Sequence, residues 1–426
     1  MSFLSYARPL RRAPMLLLAA LLLSSFSAAR AGDELSLASA VQLAVQRSQQ
    51  LAAQGAAARA GRELAVAAAQ LPDPVLKAGI DNLPATGPDR GSIGADFMTM
   101  RRIGLSQELV GADKRKLRAE RYTQEALQAE AQQARQRADI SRDTALAWLE
   151  RHFAELAETL LARQREQTSQ QSLAAQAAYR GGRGSQAEVL AAEVALLQAD
   201  DRLAAARQRV RAATLMLGRW TGATAATAAL APPPAMERIP LDAAALDEEL
   251  NQAPEIVALR RREDAAAAEV RLAQAERKSD WTVDVAWQQR GSAYSNMVSF
   301  GVSVPLQWDR ARRQDRTLAA RLAQADQAQA EREEAHRAHV AETRTLIEDW
   351  RSGQDRLRRY HDELLPRAAQ NAEAVLAAYR GARATLADVL AARRNETDAR
   401  LAALQLEADT ARLWAQLNYI LPPEGR

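Results

Sequence analysis

The chain has no cysteine, which rules out disulfide frameworks, thiolate metal ligands and a lipid-anchored N-terminal cysteine. It has four histidines and aromatic residues make up only 4% of it, so a histidine metal centre or a large aromatic core has little to draw on. Long apolar runs are also missing. The sole candidate, from Met15 to Leu23, is too short to span a bilayer. It follows Arg8, Arg11 and Arg12 and precedes Ala29-Arg30-Ala31, the pattern of a cleavable secretory leader over residues 1–31, with a mature chain expected from Gly32. Net charge is absent in the same sense. Of 57 Lys+Arg, the four in that leader leave 53 against 53 acidic residues, so the basic balance carries no indication of nucleic-acid binding. No phosphate-binding loop, nucleophile–base–orienter set or metal-ligand cluster stands out, so neither an enzyme nor a cofactor is expected. A Cys-free exported chain without an apolar helix reads as periplasmic or outer-membrane.

What is present is a duplication. Residues Ala178 to Ala192 read AYRGGRGSQAEVLAA, and Ala378 to Ala392 read AYRGARATLADVLAA, with ten of fifteen positions identical. The spacing of 200 residues is far longer than a solenoid repeat, so the duplicated unit is half a protein. Two halves follow, 32–230 and 231–426, the first ending and the second beginning inside a linker at 221–240 that contains Pro232-Pro233-Pro234 and reads as a non-helical surface excursion.

Within each half the patterning has the same order. Opening helices are expected at 37–70 and 242–278. Rods rich in Ala, Gln, Arg, Glu and Leu follow at 112–180 and 309–380, interrupted by proline only at Pro366. At 1.5 Å per residue each rod is about 100 Å long and coiled-coil-like. Past the Gly-containing repeat come helices at 185–220 and 385–419. Between opening helix and rod the period changes to two. Trp281, Val283, Val285 and Trp287 alternate with polar residues, as do Val298, Phe300, Val302, Val304, Leu306 and Trp308. Leu76, Ala78 and Ile80, and Ile103, Leu105 and Leu109, give a weaker version in the first half. A soluble hairpin is one reading. Strands of ten to thirteen residues with tryptophans at their ends fit a tilted membrane strand better, and four strands require several chains to close a barrel.

Two repeats ordered helix, strand, strand, long helix, turn, helix resemble the TolC-like outer-membrane efflux proteins over nearly all of the mature chain. The resemblance rests on the helix openings, where Pro254 is present but Gln49 replaces the usual proline. It rests also on Ile103-Gly104-Leu105-Ser106-Gln107-Glu108 followed by Lys114-Arg115, and on the duplicated Tyr-Arg-Gly segment. It implies a mainly α fold with a membrane β-barrel: a homotrimer with four strands per chain in a twelve-stranded barrel and a periplasmic α-barrel of helices. It implies location in the outer membrane, embedded in its lipid and extending into the periplasm, with a periplasmic adaptor (membrane fusion) protein and an inner-membrane resistance-nodulation-division (RND) pump as partners. Asp81-Asn82-Leu83-Pro84 and Asp96-Phe97-Met98-Thr99-Met100-Arg101-Arg102 resemble the branch paired with heavy-metal pumps of the cobalt–zinc–cadmium and copper–silver type. The function implied is a passive exit duct in a tripartite efflux system, for heavy-metal cations. The rival reading is a soluble periplasmic coiled-coil adaptor or scaffold.

The resemblance places adaptor docking and tunnel closure at the two turns: Tyr179, Arg180, Gly181, Gly182, Arg183 and Glu188 in one, Tyr379, Arg380, Gly381, Arg383 and Asp388 in the other. The glycines suit a tight reversal, which as connectors alone they would also supply. Ala382 stands where glycine is usual, so the second turn is expected to bend at Gly381 instead. Glu188 and Asp388 fit capping boxes with Ser185 and Thr385, and a ring of these groups around an aperture, with Arg183 and Arg383 as ion-pair latches, is compatible with that. His336 and His339 lack a third metal ligand, and His152 and His361 read with them as helix-surface residues. Met98 and Met100 read as lipid- or loop-facing before they read as soft-metal ligands.

Overall fold

The computed structural model describes residues 34–421. The expected leader lies outside them. The chain opens with α1 (Leu37–Arg47) and α2 (Gln49–Ala68), passes through β1 (Val75–Asp81) and β2 (Met100–Leu109), and enters α3 (Ala112–Arg180). After a turn come α4 (Gln186–Thr221) and the short α5 (Ala223–Ala226). The order then recurs with α6 (Leu246–Leu250), α7 (Pro254–Ala275), β3 (Trp281–Gln289), β4 (Met297–Ser303), α8 (Gln314–Arg359), a π turn (Tyr360–Leu364), α9 (Leu365–Arg380) and α10 (Leu386–Asn418).

Both opening helices are broken where the sequence reading ran them through. At the first break Ser48 takes an extended backbone and its hydroxyl accepts from the Leu51 N–H, so a serine cap restarts the helix without the proline used in the second. Pro254 begins α7 at a position where its missing N–H costs nothing. The first rod, α3, is continuous over 69 residues. The second begins at Gln314 rather than 309 and is not a plain α-helix. Pro366 has no N–H to donate and its ring crowds the carbonyl four residues back. The helix widens just upstream, and the Leu365 N–H reaches the Tyr360 carbonyl.

The main core lies at mid-length, where Trp148, Trp350, Trp414, Leu246, Leu250 and Ile256 meet. The linker belongs to it. Leu230 bridges Leu35, while Met236, Ile239 and Leu241 pack inward, and α5 supplies a helical turn. Trp148 and Trp414 donate their indole N–H to the carbonyls of Leu35 and Arg238, each at 2.9 Å. The expected surface excursion is therefore a belt bound to the rods. Elsewhere the helices approach through small residues. A Cβ at Gly353 would lie 2.4 Å from the Thr410 hydroxyl.

The four strands form one antiparallel sheet in the order β1-β2-β3-β4. The central strands have ten and nine residues, but β1 and β4 have seven, fewer than expected. β4 stops at Ser303 because Pro305 cannot donate to a ladder, which leaves Val304, Leu306 and Trp308 outside the strand. Lys114 fixes the sheet to the rods. Its buried ammonium lies 2.7 Å from Asp280, whose other oxygen accepts from the Gly111 N–H, and Arg115 donates to the Ala69 carbonyl.

Candidate functional site

The register sorts the sheet into two faces. Leu76, Leu105, Val285 and Phe300 stand in one row, and Ala78, Ile103, Trp287 and Val298 in the next. All but Ala78 are large side chains exposed to the surroundings, Phe300 at 80%. The opposite face is polar and small. Lys77 reaches across Gly104 to Asp284 at 2.7 Å, and Arg102 pairs with Asp81 at 3.4 Å. A Cβ at Gly104 would meet that of Ala286 at 2.8 Å, so only glycine clears this crossing. Exposed Trp281 and Trp308 mark the helix end of the sheet, and Phe97 and Tyr294 the loop end. β1 and β4 each pair on one side only. Among the described residues no helix is long and apolar enough to cross a membrane.

At the far end of the rods lie the two turns. In the first, the Arg183 N–H donates to the Ala178 carbonyl at 2.9 Å and the Gly182 N–H to the Tyr179 carbonyl at 3.0 Å. In the second, Arg383 donates to Ala378 at 2.8 Å and Ala382 to Tyr379 at 2.9 Å. Both are Schellman turns, which require a left-handed residue after the cap. Gly182 supplies it with φ +69° and Ala382 with φ +55°, while Gly381 keeps φ −87° as Gly181 keeps −83°. The expected shift of the bend onto Gly381 does not occur. The hydrogen bonds dictate the conformation, and Ala382 accepts it with its Cβ strained.

Glu188 and Asp388 complete capping boxes. The Ser185 N–H donates to the Glu188 carboxylate at 2.8 Å, and the Thr385 N–H to that of Asp388 at 2.9 Å. These bonds, with that from the Thr385 hydroxyl, hold the Asp388 carboxyl below the usual carboxylate range. Within one chain, Arg183 and Arg383 make no ion pair among the described residues. The carboxylates of Glu188 and Asp388 are turned to the backbone. Arg180 and Arg380, the last helical residues, are exposed.

The tips pack side by side. Ala175, Ala192, Leu386 and Leu390 form a small core, with Tyr379 against it, whereas Tyr179 is exposed. Between α4 and α10, just above the tips, runs an open groove of about 440 Å³ lined by Leu190, Val194, Ala195, Ala387, Leu390 and Ala391. Sequence reading missed it. The signal was Leu190, Val194 and Leu197, three exposed apolar residues on one face of α4.

The histidines are scattered. His152 stacks on Trp148, and burial pushes its imidazole below the usual range; burial does the same to His339. His336 faces the Asp247 carbonyl and His361 lies 2.9 Å from Glu407. Met98 is exposed in the β1–β2 loop and Met100 opens β2. Among the described residues no group of three or more His, Asp or Glu could hold a metal ion.

No family model and no curated protein matches the sequence. Solved structures are similar in shape. The outer membrane protein VceC of Vibrio cholerae superposes with a TM-score of 0.76 at 18% identity, over 90% of this chain and 95% of that one. The CmeC outer membrane channel of Campylobacter jejuni gives 0.77 at 13% identity, over 90% and 85%. CusC, solved for the changes accompanying its folding and transmembrane channel formation, gives 0.74 at 15% identity, over 91% and 92%. Over nine-tenths of its length, the chain has the fold of these outer-membrane channels.

Proposed function

We propose that the chain is one subunit of a trimeric outer-membrane channel, the passive exit duct of a tripartite efflux system. It is a conduit rather than an enzyme. One observation carries the reading: a sheet with an exposed apolar face and a polar back, mounted at the end of rods about 100 Å long. Such a face is stable against lipid, and the polar back suits a water-filled lumen. The single-sided edges of β1 and β4 would close through neighbouring copies into twelve strands.

The tips support the same assembly. Each chain is two copies of one unit, divided within the belt, and Tyr379 packs against the small core where its two hairpins meet. By the repeat relation Tyr179 would pack against the second hairpin of the next copy, which explains its exposure here. The apolar groove beside the tips suits one face of an adaptor's helical hairpin, with an inner-membrane RND pump beyond it. Six capping carboxylates from three copies of Glu188 and Asp388 would line the mouth and favour cations. The loop sequences around Asp81 and Asp96 support heavy-metal cations as cargo.

Three measurements test this. Fractionation should give a detergent-dependent, trimer-sized species in the outer membrane; a soluble monomer ends the reading. Single-channel recordings should show cation preference that falls when Glu188→Ala and Asp388→Ala are combined, and unchanged selectivity would remove the carboxylate ring. A deletion strain should become sensitive to heavy-metal salts, and sensitivity only to organic compounds would replace the cargo while leaving the duct.

A further inference from the structure

We propose that Arg101 and Arg290 hold the phosphate-monoester headgroup of a membrane lipid at the loop end of the sheet, an inference that rests on the membrane reading above. Arg101 is the sole charged residue on the apolar face. It stands in the last row, between Ile80 and Gln289, with Ile103 and Trp287 in the row beneath. An arginine there can keep its charge out of lipid only by bending toward the loops, and it does so. Its terminal nitrogen donates at 3.4 Å, a long contact, to the Arg290 carbonyl, and its buried Nε has no partner.

Arg290, whose backbone Arg101 touches, has its own side chain held by the loops. Its Nε donates to the Ser295 carbonyl at 3.0 Å and one terminal nitrogen to the Phe97 carbonyl at 3.4 Å, while the guanidinium lies over the Tyr294 ring. The two loops are tightly apposed beneath it, since a Cβ at Gly291 would fall 2.1 Å from the Gly94 carbonyl oxygen. Among the described residues neither guanidinium has a carboxylate to answer it. Asp81 is engaged by Arg102 on the opposite face, Asp96 accepts from the Met98 N–H, and neither arginine makes an ion pair with Asp89. Two guanidinium groups from residues in contact, Arg101 and Arg290, supply the charge and the forked donors that a dianionic phosphate takes. Exposed Ile80 lies beside Arg101, and exposed Ile103 and Trp287 continue below as a surface for acyl chains, which selects a lipid over a free anion.

The full-length assembly reconstituted in phosphatidylcholine vesicles, with and without phosphatidic acid, provides the test, lipid retention being read by native mass spectrometry after detergent extraction. Phosphatidic acid should be retained over phosphatidylcholine. Arg101→Gln should lower that retention about fivefold, the usual effect of one basic residue at an anionic lipid surface. Arg101→Lys should keep part of it, which separates lost charge from lost folding. Equal retention by the wild type and Arg101→Gln overturns the inference while leaving the channel intact. Displacement of the lipid by inorganic phosphate at matching concentration overturns it in favour of a simple anion site. Failure to enter phosphatidylcholine vesicles at all would instead overturn the membrane reading.

Discussion

The two hairpins of the chain end in the same turn but are braced differently. On the first, Gln176 hydrogen-bonds Glu193, and Leu196 stands one turn beyond. On the second, Arg393 stands 200 residues after Glu193 and pairs with Glu373, and Glu396 replaces Leu196. The Glu396 side chain is only 9% exposed, clamped by Arg393 at 2.9 Å and Arg400 at 2.7 Å. The second hairpin also carries both irregularities, the left-handed Ala382 and the π turn above Pro366. Both hairpins thus carry ion pairs between their helices, Arg165–Asp200 and Arg207–Glu158 in the first, but among the described residues only the second buries a carboxylate and carries the strained backbone. Stored strain and charge networks are where two arrangements of similar energy are found, so the second hairpin is the one to expect moving.

Substitutions can break this contrast, and the largest effect is expected at Glu396. Glu396→Ala should cost about 3 kcal/mol by leaving two arginines facing a void, whereas Glu396→Leu, which restores the first hairpin's residue, should recover most of that loss. Denaturant titration in detergent reads both. Equal losses would mean that the ionic clamp is not what distinguishes the hairpins. Pro366→Ala should follow, stabilising the second rod by about 1 kcal/mol, because a regular helix can then form. Amide exchange at residues 360–364 should slow; unchanged exchange would assign the π turn to packing and not to the proline.

The turn residues come next. Ala382→Gly should stabilise by about 1 kcal/mol and Gly182→Ala should destabilise by a similar amount, since only the alanine has a Cβ to strain at positive φ. Thermal unfolding of the two variants should move in opposite directions, and a shared direction would show the turns to be unlike. The smallest effect is that of pH. Asp388 has its pKa lowered in the fold, so its contribution is present above the unfolded carboxyl value and lost as pH falls through the folded one, below about pH 4. Exchange of the Thr385 and Asp388 amides should accelerate in that window and not above it. Acceleration already at neutral pH would refute the cap.

Composition made the rods legible, and period-two alternation made the sheet's apolar face legible, because both are local patterns. What was missed depended on distant partners. Lys114 was readable as part of a motif, but its purpose lies with Asp280, 166 residues away. The belt hid its apolar residues Leu230, Met236, Ile239 and Leu241 among prolines and alanines, so it read as a surface excursion. Pro366 announced a disturbance without saying that the helix would absorb it in a π turn. Ala382 misled because propensity favours glycine there, while the hydrogen bonds from Ala382 and Arg383 set the bend regardless. The capping boxes of Glu188 and Asp388 were legible from spacing alone and both form, whereas a ring of these carboxylates, compatible with the caps, depends on neighbouring copies.

The belt at mid-length divides each rod into unequal jobs. Toward the sheet the helices are tied by Lys114 and by the indole donors of Trp148 and Trp414. Beyond Trp148, α3 runs on for 32 residues to Arg180 with a thinner set of buried side chains. The geometry is that of a lever on a fulcrum: with a free arm of about 48 Å, a rotation of about 5° at the belt carries the tip about 4 Å sideways. A movement too small to disturb the packing of one tryptophan is enough to change the width of a mouth.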